Sequence, residues 1–208
     1  MTLVFPRLYV IMDAVLLEKS ELLIAAMLAE SGVELIQYRN KLASSRTLLQ
    51  VSSQLAAALR PRGVRFLVND RADIAALAGA GGVHVGQEDL SVEDARHICG
   101  PDAWVGISTH SLAQVREADR TSADYVAFGP IFLTETKEKA GEAVGCEMLR
   151  RARGLTRKPL VAIGDITLER AEEVYRAGAD SLAVARDILR APDPGARAEE
   201  YLALSSGL

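Results

Sequence analysis

Eight times along this chain a short β-branched or apolar run is followed by a longer stretch with helical spacing, and no other feature restricts the fold so strongly. The runs are Leu8–Met12, Leu35–Tyr38, Arg65–Val68, Gly82–Val85, Trp104–Ile107, Tyr125–Phe128, Leu160–Ile163 and Ser181–Val184. Amphipathic segments lie between them, among them Glu18–Ser31, Thr47–Leu59 and Leu168–Ala177. In the last of these Leu168, Ala171, Val174 and Tyr175 share one face at three- and four-residue spacing. Gly32, Gly81, Gly100 and Gly178 stand where helices must end. Strands that alternate with helices build a parallel sheet, because each parallel neighbour needs a crossover. Eight such units without a composition break predict closure into a (β/α)8 barrel, one domain over residues 1–208. An open doubly wound sheet would bring a GxGxxG turn after its first strand, and Asp13-Ala14-Val15-Leu16 is nothing of the kind.

Bulk properties narrow the partners. A chain of 208 residues is at the small end of what such a barrel needs, roughly 200 upward. With 49% hydrophobic and 25% charged residues it has the make-up of a globular enzyme domain. The net charge is −4 and the basic residues are scattered, which argues against a nucleic-acid partner. No apolar run approaches the ~20 residues of a bilayer span, and Met1 to Pro6 offer no cleavage site for a signal peptide. Cys99 and Cys146 have neither CxxC spacing nor a His companion, so they are expected as free thiols in a reducing cytoplasm. The sequence leaves the oligomeric state open, a homo-oligomer included.

In a barrel of this kind chemistry is expected at the C-terminal ends of the strands. The unusual polar residues gather there: Gln37-Tyr38-Arg39-Asn40-Lys41, Asn69-Asp70-Arg71, His84-Val85-Gly86-Gln87-Glu88-Asp89, Ser108-Thr109-His110, Gly164-Asp165 and Ala185-Arg186. Each has a plainer explanation. Gln37 and Arg39 alternate in a strand and could form an inward polar layer, Asp70 and Asp89 could cap the helices that follow, and His84 has the setting of a core histidine. His110 is expected behind the site or on the surface. Taken together, two carboxylates at adjacent strand ends make a seat for Mg²⁺, an ion that takes one or two carboxylates plus substrate phosphates. Arg39, Lys41 and Lys137 supply the positive charge a diphosphate needs. The polar segment from Leu133 to Ala143 is either a solvated loop or a lid that carries Lys137 over a substrate.

The order of these motifs closely resembles the thiamine phosphate synthase family. The matching elements are Gln-x-Arg-x-Lys (37–41), Val-Asn-Asp (68–70), His-Val-Gly-Gln-Glu-Asp (84–89), Gly-Ile-Ser-x-His (106–110), Gly-Pro-Ile-Phe-x-Thr-x-Thr-Lys (129–137) and Ala-Ile-Gly (162–164). The resemblance implies a transferase that joins a hydroxymethylpyrimidine diphosphate to a thiazole phosphate, through a pyrimidinylmethyl cation and with Mg²⁺ as cofactor. It implies that Asp70 and Asp89 hold Mg²⁺, and that Arg39, Lys41, Asn69 and Lys137 grip the diphosphate. Gln37, Tyr38, Asn40 and Ser108 would complete the pyrimidine side, with Arg39, Lys137 and Ser108 carrying the catalysis. Thr134, Thr136, Gly164, Ala185 and Arg186 would surround the thiazole phosphate. Two positions depart from the family pattern, Asp165 where a second Gly is usual and Arg186 where a small residue is usual. The expectation for them is an ion pair across adjacent strand ends, with Asp165 as a helix cap the competing arrangement. Two other readings compete with the synthase. One is a thiazole tautomerase of the same superfamily, against which Pro130 stands in place of a His; the other is a non-catalytic barrel that binds a phosphorylated ligand.

Overall fold

The computed structural model describes residues 5–133 and 143–207. Eight strands form one closed barrel in chain order, each parallel to its neighbours: β1 (Leu8–Asp13), β2 (Leu35–Arg39), β3 (Arg65–Asn69), β4 (Gly82–Val85), β5 (Trp104–Thr109), β6 (Tyr125–Phe128), β7 (Leu160–Ile163) and β8 (Ser181–Val184). The helices around it are α1 (Glu21–Glu30), α2 (Ser45–Leu59), α3 (Ala72–Ala78), α4 (Val92–Cys99), α5 (Leu112–Asp119), α6 (Gly145–Arg153), α7 (Leu168–Arg176), α8 (Arg186–Leu189) and α9 (Pro194–Ser206). This is the predicted (β/α)8 architecture. Strands β1, β2, β3 and β5 run one or two residues past the apolar runs, onto the polar residues Asp13, Arg39, Asn69 and Thr109.

Period-two alternation divides the apolar side chains into two separate cores. Tyr9, Ile11, Leu35, Leu67, Tyr125, Ala127, Val161 and Ala183 fill the barrel interior. Their strand neighbours, such as Val10, Ile36, Val68 and Val126, pack outward against the helices. At the N-terminal end the interior is closed by rings: Phe5 stacks on Trp104 at 5.2 Å between centroids and tilts against Tyr125 at 4.9 Å. The barrel interior is therefore filled at this end and opens toward the other.

Local sequence sets where the helices begin. Ser20, Ser44, Ser91 and Ser111 each accept a hydrogen bond from the backbone N–H three residues on, capping α1, α2, α4 and α5. Such a cap contributes about 1 kcal/mol. The capping alternatives for Asp70 and Asp89 fall with this: α4 starts on Ser91, and α3 starts after Arg71 without any side-chain cap. The stop of α3 is Gly79 in the left-handed region, where the sequence pointed to Gly81. Cys99 and Cys146 are free, and among the described residues no helix is long and apolar enough to cross a membrane.

Candidate active site

A cavity of about 550 Å³ opens at the C-terminal ends of the strands. The barrel register brings its polar lining together: Asp13 lies beside Arg39, Asn69 beside His84, and Ser108 beside Ala127. Because Gln37 and Arg39 are two residues apart on β2, both face this cavity. The side chain of Tyr38, between them, is turned outward to Glu21 Oε1 at 3.1 Å and packs in the outer core. The strand pleat thus leaves the Tyr38 side chain outside the cavity lining. Asn40 likewise works on its own loop. Its Oδ1 accepts from the N–H groups of Leu42 and Ala43, and its Nδ2 donates to the Tyr38 hydroxyl.

Arg39 is fixed by a residue that sequence reasoning passed over. The carboxylate of Asp13, buried at 3% exposure at the end of β1, accepts from Arg39 Nη1 and also from the N–H of Val15 at 3.3 Å. Beyond the ends of β3 and β4, outside the residues that line the cavity, stands an acidic pair. Asp70 sits just beyond β3 with φ of 61°, a left-handed conformation that costs a non-glycine residue about 1–2 kcal/mol. Its Oδ2 is 3.1 Å from Lys41 Nζ. Asp89 accepts from the N–H of Gly86 at 2.7 Å. Partial burial, and then the nearby Asp70 carboxyl with its charge and hydrogen bond, push the Asp89 carboxyl above the usual range. Lys41 is the cation beside both carboxylates, ion-paired to Asp70 and acting on Asp89 by its charge. Among the described residues no group of three His, Cys, Asp or Glu could cage a metal, so a cation here would complete its shell with water or ligand oxygens.

Ser108, buried at the end of β5, is hydrogen-bonded to His84 Nε2 at 2.8 Å, and Gln87 Nε2 donates to the Ser108 carbonyl at 2.6 Å. His84 is buried, as its apolar neighbours implied, yet it faces the cavity and not the outer core. His110 reaches the rim through its Nδ1, which is 2.6 Å from the carbonyl of Gly129.

The far side of the mouth is built from β7 and β8. Gly164 takes φ of 115°, and a Cβ there would lie 2.5 Å from the Pro130 Cα, so the strand-six loop can fold onto β7 only over a glycine. The loop is anchored by hydrogen bonds from Ile131 N to Ile163 O and from Phe132 N to Gly164 O. Asp165 has φ of 47°, the left-handed region that glycine enters freely and Asp tolerates better than most residues. The departure at this position is therefore sterically cheap. Its observed ion-pair partner differs from the expected one: Asp165 Oδ2 lies 4.0 Å from Arg170 Nη1 in the first turn of α7. Nor does Asp165 cap α7, which starts at Thr167 without a side-chain cap. Arg186, Arg190 and Arg197 line the cavity beside Asp187, which holds Tyr201 at 2.8 Å and Arg197 at 3.9 Å. Ala185 lines it too, at the start of the four-residue helix α8. Thr134, Thr136 and Lys137 lie outside the described residues.

A sequence model described as thiamine monophosphate synthase matches residues 8–188. The chain belongs to the thiamine monophosphate synthase family. It is similar to the thiamine-phosphate synthase of Koribacter versatilis, 49% identical over 202 residues that cover 95% of this chain and 94% of that protein. The corresponding protein of Chloroflexus aurantiacus is 40% identical over 96% of this chain and 93% of its own length. Among solved structures, thiamine phosphate pyrophosphorylase from Pyrococcus furiosus superposes with a TM-score of 0.88 at 33% identity, covering 97% of this chain and 96% of that one. Family membership thus covers both the barrel and every described strand end that contributes to the cavity.

Proposed function

We propose that this chain is a thiamine-phosphate synthase that joins a hydroxymethylpyrimidine diphosphate to a thiazole phosphate and releases pyrophosphate. The observation that carries this reading is the Asp70–Asp89 pair with Lys41, placed just beyond the ends of β2, β3 and β4, on the same end of the barrel as an Arg39 held by Asp13. Such a set can neutralise a departing diphosphate, and family membership supplies the substrate class. Asp70 and Asp89 would hold Mg²⁺, which supplies charge neutralisation to the leaving group when bound.

The remaining work falls to the chain's own residues. Arg39, Lys41, Asn69 and Lys137 grip the diphosphate while the bond from the ring methylene carbon to its oxygen breaks and the electron pair leaves with oxygen. The resulting pyrimidinylmethyl cation is held flat by Gln37 and Ser108. The thiazole nitrogen then donates its lone pair to the methylene carbon, so no external base is needed. Gly164, Ala185 and Arg186, with Thr134 and Thr136, would hold the thiazole phosphate. Preorganised charge acts most strongly where the leaving group gains it. The reaction would run in the cytoplasm on small molecules alone.

The test is to incubate the purified protein with both substrates and Mg²⁺ and follow both products. Thiamine phosphate and pyrophosphate in equal amounts, dependent on both substrates, are expected. Ligand binding without turnover would favour the non-catalytic barrel, and isomerisation of a thiazole carboxylate phosphate would favour the tautomerase.

A further inference from the structure

Five buried polar side chains from five strands form an unbroken hydrogen-bonded row across the floor of the cavity. Tyr9 donates its hydroxyl proton to Gln37 Oε1 at 3.0 Å, and its oxygen is 3.0 Å from the Tyr125 hydroxyl. Tyr125 is 2.8 Å from His84 Nδ1, and His84 Nε2 is 2.8 Å from Ser108 Oγ. Gln37, Tyr9, His84 and Ser108 all line the cavity. The row exists because β5 has a glycine under it: a Cβ on Gly106 would lie 2.0 Å from Tyr125 Cζ.

Proton counting fixes the direction of the row. Burial raises the pKa of both phenols, so each remains neutral with one proton to give. Tyr9 spends its proton on Gln37, so the Tyr125 proton must go to Tyr9. The Tyr125 oxygen can then only accept, and His84 must donate to it from Nδ1. A neutral imidazole protonated at Nδ1 has its lone pair at Nε2, which takes the Ser108 proton. What Ser108 then turns to the cavity is lone pairs.

We infer that this row holds His84 as the neutral Nδ1–H tautomer and so makes Ser108 an acceptor toward the cavity, selecting a heteroaromatic ring that offers an N–H there over the same ring offering a carbonyl oxygen. The tautomer follows from the hydrogen bonds for a neutral imidazole with Gln37 Oε1 as the acceptor; the selectivity rests on the synthase reading, in which the ring is an aminopyrimidine. Its amino N–H becomes a better donor as the ring takes up positive charge, so the Ser108 contact strengthens toward the transition state. His84, Tyr125 and Tyr9 are positioning residues that act through Ser108.

The first test needs no substrate. ¹⁵N spectra of the ring nitrogens at pH near 8, with His97→Gln and His110→Gln assigning the other two histidines, should give His84 a protonated Nδ1 and an unprotonated Nε2. Protonated Nε2 with bare Nδ1, which is the row running backwards from an inverted Gln37 amide, overturns the inference, and so does an imidazolium. The second test compares the aminopyrimidine diphosphate with its analogue carrying oxygen in place of the amino group. A preference for the amino ring of about 100-fold or more is expected, as for sites built around a buried polar partner. Equal use of both rings overturns the selectivity. In Tyr125→Phe, kcat should fall about tenfold or more with a smaller change in KM, and the preference should relax; unchanged kcat and preference overturn the positioning role. Absence of thiamine phosphate with the Nδ1–H tautomer in place would defeat the synthase reading and leave the row standing. Product formation with the opposite tautomer would do the reverse.

Discussion

Asp13→Asn is the sharpest perturbation of the site, because the Asp13 carboxylate holds Arg39 at the cavity. The carboxylate is 3% exposed and satisfies two donors, Arg39 Nη1 and the N–H of Val15. An amide oxygen can keep one of them but carries no charge. Hydrogen bonds to charged groups contribute about 1.5–3 kcal/mol. The Arg39 side chain keeps 17% exposure, so water recovers part of the loss and the 3–5 kcal/mol cost typical of a fully buried broken pair is not reached. A destabilisation of about 1.5–3 kcal/mol lowers Tm by roughly 3–12 °C for a chain of this size. Thermal melting checks that figure. Steady-state kinetics should show a raised KM for the pyrimidine diphosphate and a lower kcat, since Arg39 is no longer aimed at the leaving group. The decisive control is the same substitution in an Arg39→Met background, where it should cost nothing or even stabilise, because Arg39→Met leaves the buried Asp13 carboxylate without its partner and Asn removes that charge. An equal penalty in both backgrounds, or an unchanged KM, would refute the pairing as the reason Asp13 matters.

Three further outcomes are expected. At Asp70, with φ of 61°, the stability order should be Asn above Ala, with Ala about 1–2 kcal/mol lower from backbone strain, while both lose most activity; urea unfolding midpoints and turnover read the two effects separately. Asp165→Gly should change Tm by less than about 3 °C, because relief of left-handed strain is offset by the unfolded-state entropy of glycine, whereas Gly164→Ala should cost about 2 kcal/mol or more through its contact with Pro130. Lys137→Ala should depress kcat far more than it raises KM for the pyrimidine diphosphate, and a change confined to KM would place Lys137 in ground-state binding.

The barrel was legible because eight β-branched runs have one economical closure, and the pleat assigned Gln37 and Arg39 to the same face. The same period-two rule, carried to β1, β4 and β6, would have turned Tyr9, Asp13, His84 and Tyr125 inward as well. What no linear pattern contains is which inward residues meet. Tyr125 and Tyr9 lie 116 residues apart, yet their hydroxyls touch across the lumen. His84 had the setting of a core histidine because Val83 and Val85 do pack outward; its own partners come from β5 and β6. Asp165 was expected to find Arg186 because their strands are adjacent, but five residues of turn and helix bring Arg170 round to it first.

The most direct measurement is product formation as a function of free Mg²⁺ for the native chain, Asp70→Asn and Asp89→Asn. With both carboxylates in place, thiamine phosphate should be absent in excess chelator and should return saturably as Mg²⁺ is added. Each Asn variant should need at least ~10-fold more Mg²⁺ for half-maximal rate, since each carboxylate supplies part of the charge that draws the ion. Full turnover in chelator, or identical Mg²⁺ curves for all three proteins, would show that diphosphate departure at this mouth does not depend on the Asp70–Asp89 pair.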